Sequence, residues 1–196
     1  MNSNLQDEIK NFIDNRIWMT KKSRMEAEAR MNKNNIFSQF LVNYYTFVVL
    51  AFSIISLLEK NSDIIALMTV IASVGLFGTT LFLTSMAYKE KAMQYKDSYL
   101  SLTELETDLK HILREDKEDS EVINNLQILE RRYNEILAKT DNHSEVDYIK
   151  VQLKISSKID KANYWKYLIH NTTTFLFKVI LISVPFALIF LYFRYK

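Results

Sequence analysis

IFSQFLVNYYTFVVLAFSIISLL (Ile36–Leu58), EKNSD (Glu59–Asp63) and IIALMTVIASVGLFGTTLFLTSMA (Ile64–Ala87) follow one another directly. As helices rising about 1.5 Å per residue, the two apolar runs each reach roughly 35 Å, enough to cross a hydrocarbon core of about 30 Å. The polar link is so short that it forces a hairpin, with both outer flanks on one side of a membrane. A third apolar run covers Leu168–Phe193. The chain therefore reads as an all-α integral membrane protein. Its expected parts are a cytoplasmic juxtamembrane amphipathic helix (1–35), a transmembrane hairpin (36–87, spans 36–58 and 64–87), a charged cytoplasmic helical region (88–167) and a third transmembrane helix (168–193).

Composition agrees. The net charge of +2 supplies no strong field for nucleic acid, so no direct nucleic-acid contact is expected. Cysteine is absent, which removes disulfides, thiolate catalysis and cysteine-based zinc sites. The two glycines and the one proline, Gly75, Gly78 and Pro185, all lie inside apolar runs, where neighbouring helices re-satisfy the backbone. A charged leader with acidic residues precedes Ile36, unlike a secretory signal, so the first run reads as a retained anchor.

Basic residues set the orientation. Lys10, Arg16, Lys21, Lys22, Arg24, Arg30 and Lys33 precede the first span. Lys89, Lys91 and Lys96 follow the second, and Lys158, Lys161 and Lys166 precede the third. The hairpin tip offers Lys60, the C-terminal tail Arg194 and Lys196. The positive-inside rule places the N-terminus and 88–167 in the cytoplasm and the C-terminus outside. Tyr164, Trp165 and Tyr167, then Tyr192 and Tyr195, mark the two interfaces of the third span.

Leu5, Ile9, Phe12, Ile13 and Ile17 follow the spacing of an amphipathic helix. The stretch after it mixes charges among strong helix formers, a solvated juxtamembrane helix in which Lys21, Lys22 and Arg24, with Trp18, could also meet acidic lipid. In 88–167 three seams recur at 3–4 spacing: Leu102, Leu105, Leu109 and Ile112; Val122, Leu126, Leu129, Tyr133 and Ile136; Val146, Ile149 and Leu153. Breaks fall at Glu115–Ser120 and Thr140–Ser144, with Ser120 or Ser144 expected to cap the helix that follows.

Catalytic chemistry is not indicated. His111, His143 and His170 stand apart with no ligand-spaced partner, so no metal site is expected. No glycine-rich phosphate loop, nucleophile elbow or HExxH pattern occurs, and no cofactor is expected. The chain is read as not an enzyme.

The spans are more informative. Gln39, Asn43, Thr46 and Ser53 fall on one stripe of the first span, suited either to interhelical hydrogen bonds or to a hydrated pathway. Ala72, Gly75 and Thr79 give the second span a small-residue packing face, most simply used within the hairpin. Lys178 lies inside the third span, where it either snorkels to the cytoplasmic surface or faces a pore or another subunit.

The string Arg16–Arg30 (RIWMTKKSRMEAEAR), leading into Phe37-Ser38-Gln39-Phe40-Leu41 and Asn43-Tyr44-Tyr45 and then a short-looped hairpin, resembles the SLATT family. These are two-transmembrane effector domains associated with SMODS nucleotidyltransferases and SLOG sensors in bacteria. The extra C-terminal span resembles the subset with a third membrane segment. The resemblance implies an oligomeric, pore-forming effector of a bacterial antiviral (abortive infection) system, seated in the inner membrane. It also implies a regulatory partner: a nucleotidyltransferase, a nucleotide sensor or a reverse transcriptase. The alternative is a non-catalytic membrane scaffold that recruits a cytoplasmic partner. A transporter subunit would need paired ionisable residues at the midplane, and Lys178 alone is poor support.

Overall fold

The computed structural model describes residues 2–58, 63–115, 118–155 and 160–195. Among them there is no strand. The helices are α1 (Ser3–Asn11), α2 (Trp18–Leu58), α3 (Asp63–Ser85), α4 (Tyr88–Arg114), α5 (Asp119–Ala138), α6 (Glu145–Ile155) and α7 (Lys161–Tyr195). A π-helical turn, Phe12–Ile17, joins α1 to α2. The chain divides into two units, Met1–Met31 with Lys89–Leu168 and Asn32–Tyr88 with Ile169–Lys196, so α2 and α7 contribute to both. Lys60 and the side chains of Tyr192 and Tyr195, read above as tip and interface markers, lie outside the described residues.

The first unit is a helical bundle built on the predicted seams. Leu5, Ile9, Phe12, Ile13 and Ile17 meet Leu102, Leu105, Leu109 and Ile112 of α4 and Val122, Leu126, Tyr133 and Ile136 of α5 in one core, with Leu129 half-buried beside it. The π turn explains how one N-terminal face serves this core. Steps of four overshoot an α-helical turn, and the wider turn absorbs that drift, so Ile13 and Ile17 both point inward. It also sets the register of α2, which buries Ser23, Arg24, Ala27 and Met31. α6 buries Asp147, Ile149 and Val151, whereas Val146 and Leu153 of the expected seam are half-buried.

One cap differs from expectation. α5 begins at Asp119 with Glu118 at the cap position, so Ser120 lies inside the helix. Ser144 does precede α6, and its backbone N–H and hydroxyl both donate to the Asp147 carboxylate, at 3.0 and 2.7 Å, the half of a capping box in which the third helical side chain reaches back to the cap N–H.

The second unit holds the three apolar helices. Each is long and apolar enough to cross a membrane. Only 6%, 6% and 0% of their most apolar stretches is buried, so the apolar surface they expose needs lipid or other copies to cover it. α3 stops at Ser85, short of the apolar run, because Ala87 takes a left-handed φ of 49° before α4 begins.

Candidate functional site

Within the second unit, α2 and α7 are tied at the proline. Pro185 is buried inside α7 and has no N–H, so the Leu181 carbonyl four residues back loses its helical donor. The Tyr45 hydroxyl donates to that carbonyl at 2.7 Å, and the Tyr44 hydroxyl donates to the Ile182 carbonyl at 2.9 Å. Tyr44 is held in turn by stacking on Phe40 and an edge contact with Tyr45. One turn earlier on α7, Lys178 lays its ammonium 4.7 Å from the centre of the Phe37 ring. Phe37 is the second residue of the first apolar run, so the amine reaches back to the start of the span.

These contacts define an inner face of α2 carrying Leu41, Tyr44, Tyr45, Val48 and Phe52, all buried or half-buried. Gln39, Asn43 and Thr46 lie on the opposite, exposed face with Phe40, Phe47 and Leu50, while Ser53 sits half-buried at its edge. Lys178 and the polar stripe are therefore not brought together within one chain.

The serine and threonine hydroxyls of the candidate stripe and packing face are satisfied on their own helices. Thr46 donates to the Val42 carbonyl, Ser53 to Val49, and Thr79 to Gly75, each at 2.8–2.9 Å. Gln39 reaches Asn35 on its own helix, at 3.4 Å. Among the described residues Asn43 has no hydrogen-bond partner. The small-residue face is likewise not closed. The inner face of α3 runs through Ile65, Thr69, Ala72, Leu76 and Thr80, so Gly75 and Thr79 sit to one side. A Cβ at Gly75 would meet nothing within 4 Å. A cavity of about 280 Å³ opens there, walled by Ala72, Gly75, Thr79, Leu41, Tyr45 and Leu181.

In the first unit the basic string of α2 is engaged inside the bundle. Arg24 is fully buried and donates to the Ile136 and Leu137 carbonyls at 3.3 and 3.5 Å, at the C-terminal end of α5, where the helix dipole favours a cation. Burial pulls its pKa below the usual guanidinium range. Lys21 pairs with Glu106, which also takes Lys110. Burial pushes the Glu106 carboxyl up, but the bonds from Lys110 and Lys21 outweigh it and hold it low. Arg30 makes a two-pronged bond to Asp147, both arms 2.9 Å, and Glu26 receives Lys150 and Lys154. Lys22 lies 5.9 Å from the Trp18 ring centre. The acidic-lipid contact expected for this string is thus left chiefly to Lys22, since Lys21 and Arg24 have acceptors within the bundle.

Among the described residues no group of three or more His, Asp or Glu side chains could hold a metal ion. His143 is half-buried against Tyr148, while His111 and His170 are exposed.

The sequence model of the SMODS and SLOG-associating 2TM effector domain family 5 matches residues 6–193. The chain belongs to this SLATT family. A search of the curated proteins finds no match, and neither does a search of the solved structures. Membership makes the chain a membrane effector domain of conflict systems. The match extends past the hairpin into the third apolar helix, so in this SLATT chain the Tyr45–Pro185 tie joins segments that the family model spans together. Sequence reading met Tyr44 and Tyr45 only as part of the family-like string and gave them no structural role. Their position opposite a lone intramembrane proline was the available signal.

Proposed function

We propose that this SLATT chain is a homo-oligomeric, gated pore of the bacterial inner membrane, which breaches that membrane during antiviral conflict and arrests the infected cell. In this reading the N-terminus and the first unit are cytoplasmic and the C-terminus lies outside, as the distribution of Lys and Arg supports. The observation that carries the proposal is the exposed stripe Gln39, Asn43 and Thr46 on a span otherwise suited to lipid. Carboxamides facing hydrocarbon cost several kcal/mol unless water or protein covers them. Several copies turning this face toward a common axis would cover it and, when open, hydrate it. Ser53 continues the stripe from its edge. Lys178, held against Phe37, serves as an interhelical contact rather than a lumenal charge.

The trigger acts on the first unit, where Lys21, Arg24 and Arg30 grip α4, α5 and α6 from the same helix that becomes the first span. A nucleotidyltransferase, a nucleotide sensor or a reverse transcriptase would meet the chain there. The test is inner-membrane potential, read with a voltage-sensitive dye after induction from a tight promoter. Rapid depolarisation that is lost in Asn43→Leu/Thr46→Leu supports the pore. Unchanged potential with confirmed insertion favours a scaffold.

A further inference from the structure

We infer that the outward face of α2 is a self-association seam, on which a second copy of this chain packs α2 against α2 with Asn43 bonded to its counterpart. This deepens the pore proposal and rests on it only in taking α2 as a membrane span. Ile36, Gln39, Asn43, Thr46 and Leu50 are spaced 3, 4, 3 and 4, the period of a left-handed helix pair. Ile36 and Leu50 are 67% and 53% exposed, and Phe40 and Phe47 flank the seam at 50% and 72%, so nothing among the described residues closes over it. The inner face, by contrast, is occupied by α7 through Tyr44 and Tyr45.

The chemistry of Asn43 selects the occupant. Thr46 satisfies its hydroxyl on its own helix, so lipid can lie against it. A carboxamide has two donor hydrogens and an acceptor oxygen, and Asn43 uses none of them among the described residues. It lies about 10 Å into the span, beyond easy reach of headgroups. Lipid tails offer neither donors nor acceptors. Whatever covers Asn43 must bring both at the same depth, and a second Asn43 across a symmetry axis does so, each amide donating to and accepting from the other. A single polar residue in such a seam also fixes register.

The absence of cysteine makes the test clean in the full chain. Single cysteines at Ile36, Gln39, Thr46 and Leu50, and at Leu41, Val48 and Phe52 on the inner face, are oxidised in native membranes. The seam predicts disulfide-linked dimers at the first set, with 3–4 periodicity, and few at the second. Adding Asn43→Leu to Gln39→Cys should lower the dimer yield about five-fold or more, equivalent to losing an interhelical hydrogen bond of ~1 kcal/mol. Asn43→Gln, which keeps the amide, should retain most of it. Equal yields at both sets, or a yield indifferent to Asn43→Leu, overturns the seam. Seam crosslinks with unchanged membrane potential would uphold it while removing the pore. Depolarisation without them would do the reverse.

Discussion

Tyr45 donates its phenolic hydrogen to Leu181, whose carbonyl is the acceptor that Pro185 leaves without a helical partner. A side chain from one span thus supplies the donor that a ring in another has removed. In hydrocarbon the alternative is an unpaired carbonyl. Tyr45→Phe should therefore cost about 1–3 kcal/mol, the penalty of orphaning a buried acceptor. The test is a double-mutant cycle with Pro185→Ala. That second substitution restores the N–H, so Tyr45→Phe should cost at least about 1 kcal/mol less in its background. Additive effects, measured by thermal unfolding of the full chain in detergent, would show that Tyr45 and Pro185 are unrelated.

Arg24 should behave as a structural donor despite its place in a basic, juxtamembrane-looking string. Its guanidinium meets the last carbonyls of α5, and Arg24→Met removes that donor from both, leaving Leu137 only backbone N–H groups of the helix end. We expect a loss of about 2 kcal/mol, within the range for hydrogen bonds from charged groups. Arg24→Lys should recover half of it at most, because an ammonium lacks the planar fork that presents two N–H groups in a fixed geometry to neighbouring carbonyls. Trp18 and Trp165 both belong to the first unit, so tryptophan fluorescence melts report on it directly. An Arg24→Met chain with an unaltered melt would return the residue to a lipid-facing role.

Those two contacts also show where sequence reading stops. Apolar spacing is local, and it marked the spans and the α4 and α5 seams down to Leu102, Leu109 and Tyr133. It placed Gln39, Asn43 and Thr46 on one face but could not say whether that face turned inward. Arg24 with α5, and Arg30 with Asp147, pair residues more than a hundred positions apart. No local period encodes such a pairing, and a charge on a helix reads as solvated until its partner is known. The π turn was hidden because Leu5, Ile9, Ile13 and Ile17 pass for ordinary helical spacing. The small face of α3 was legible only as a pattern. Residue size at Ala72, Gly75 and Thr79 permits close approach, and all three line a cavity with Leu41 and Tyr45 of α2, but no local spacing says how near the helices come.

Ala87 holds the left-handed conformation between α3 and α4, with φ at 49°. For a residue with a Cβ that region costs roughly 1–2 kcal/mol, and glycine carries no such penalty. Ala87→Gly should then stabilise the chain by about 0.5–1 kcal/mol after the extra entropy of unfolded glycine is counted. Ala87→Val should destabilise by more than about 1 kcal/mol, since β-branched side chains are excluded most strongly there. Equal stabilities for the glycine and valine variants would mean that this junction relaxes to an ordinary helical φ.

Acid should loosen the first unit in two separate windows. Burial pushes the Asp147 carboxyl up, but Arg30 and Ser144 outweigh it and hold its pKa below 3.8. A depressed carboxylate stabilises fully above its unfolded pKa, and that contribution disappears as pH falls through the folded value, below about pH 4. His143 is shifted down from 6.5, first by burial and then by Arg24, with Asp147 opposing. Its unfolded form takes up a proton first, so stability drops from about pH 6.5 until the folded histidine also titrates. Melting the full chain in detergent from pH 8 to pH 3 should give both steps. His143→Gln should flatten the upper one and spare the lower. Asp147→Asn should lower stability already at pH 7, where Arg30 loses the Asp147 carboxylate, and shrink the acid step, the rest of which belongs to Glu26 and Glu106, likewise held low by lysines. A His143→Gln chain that keeps the full slope between pH 7 and pH 5 would assign that step to other groups.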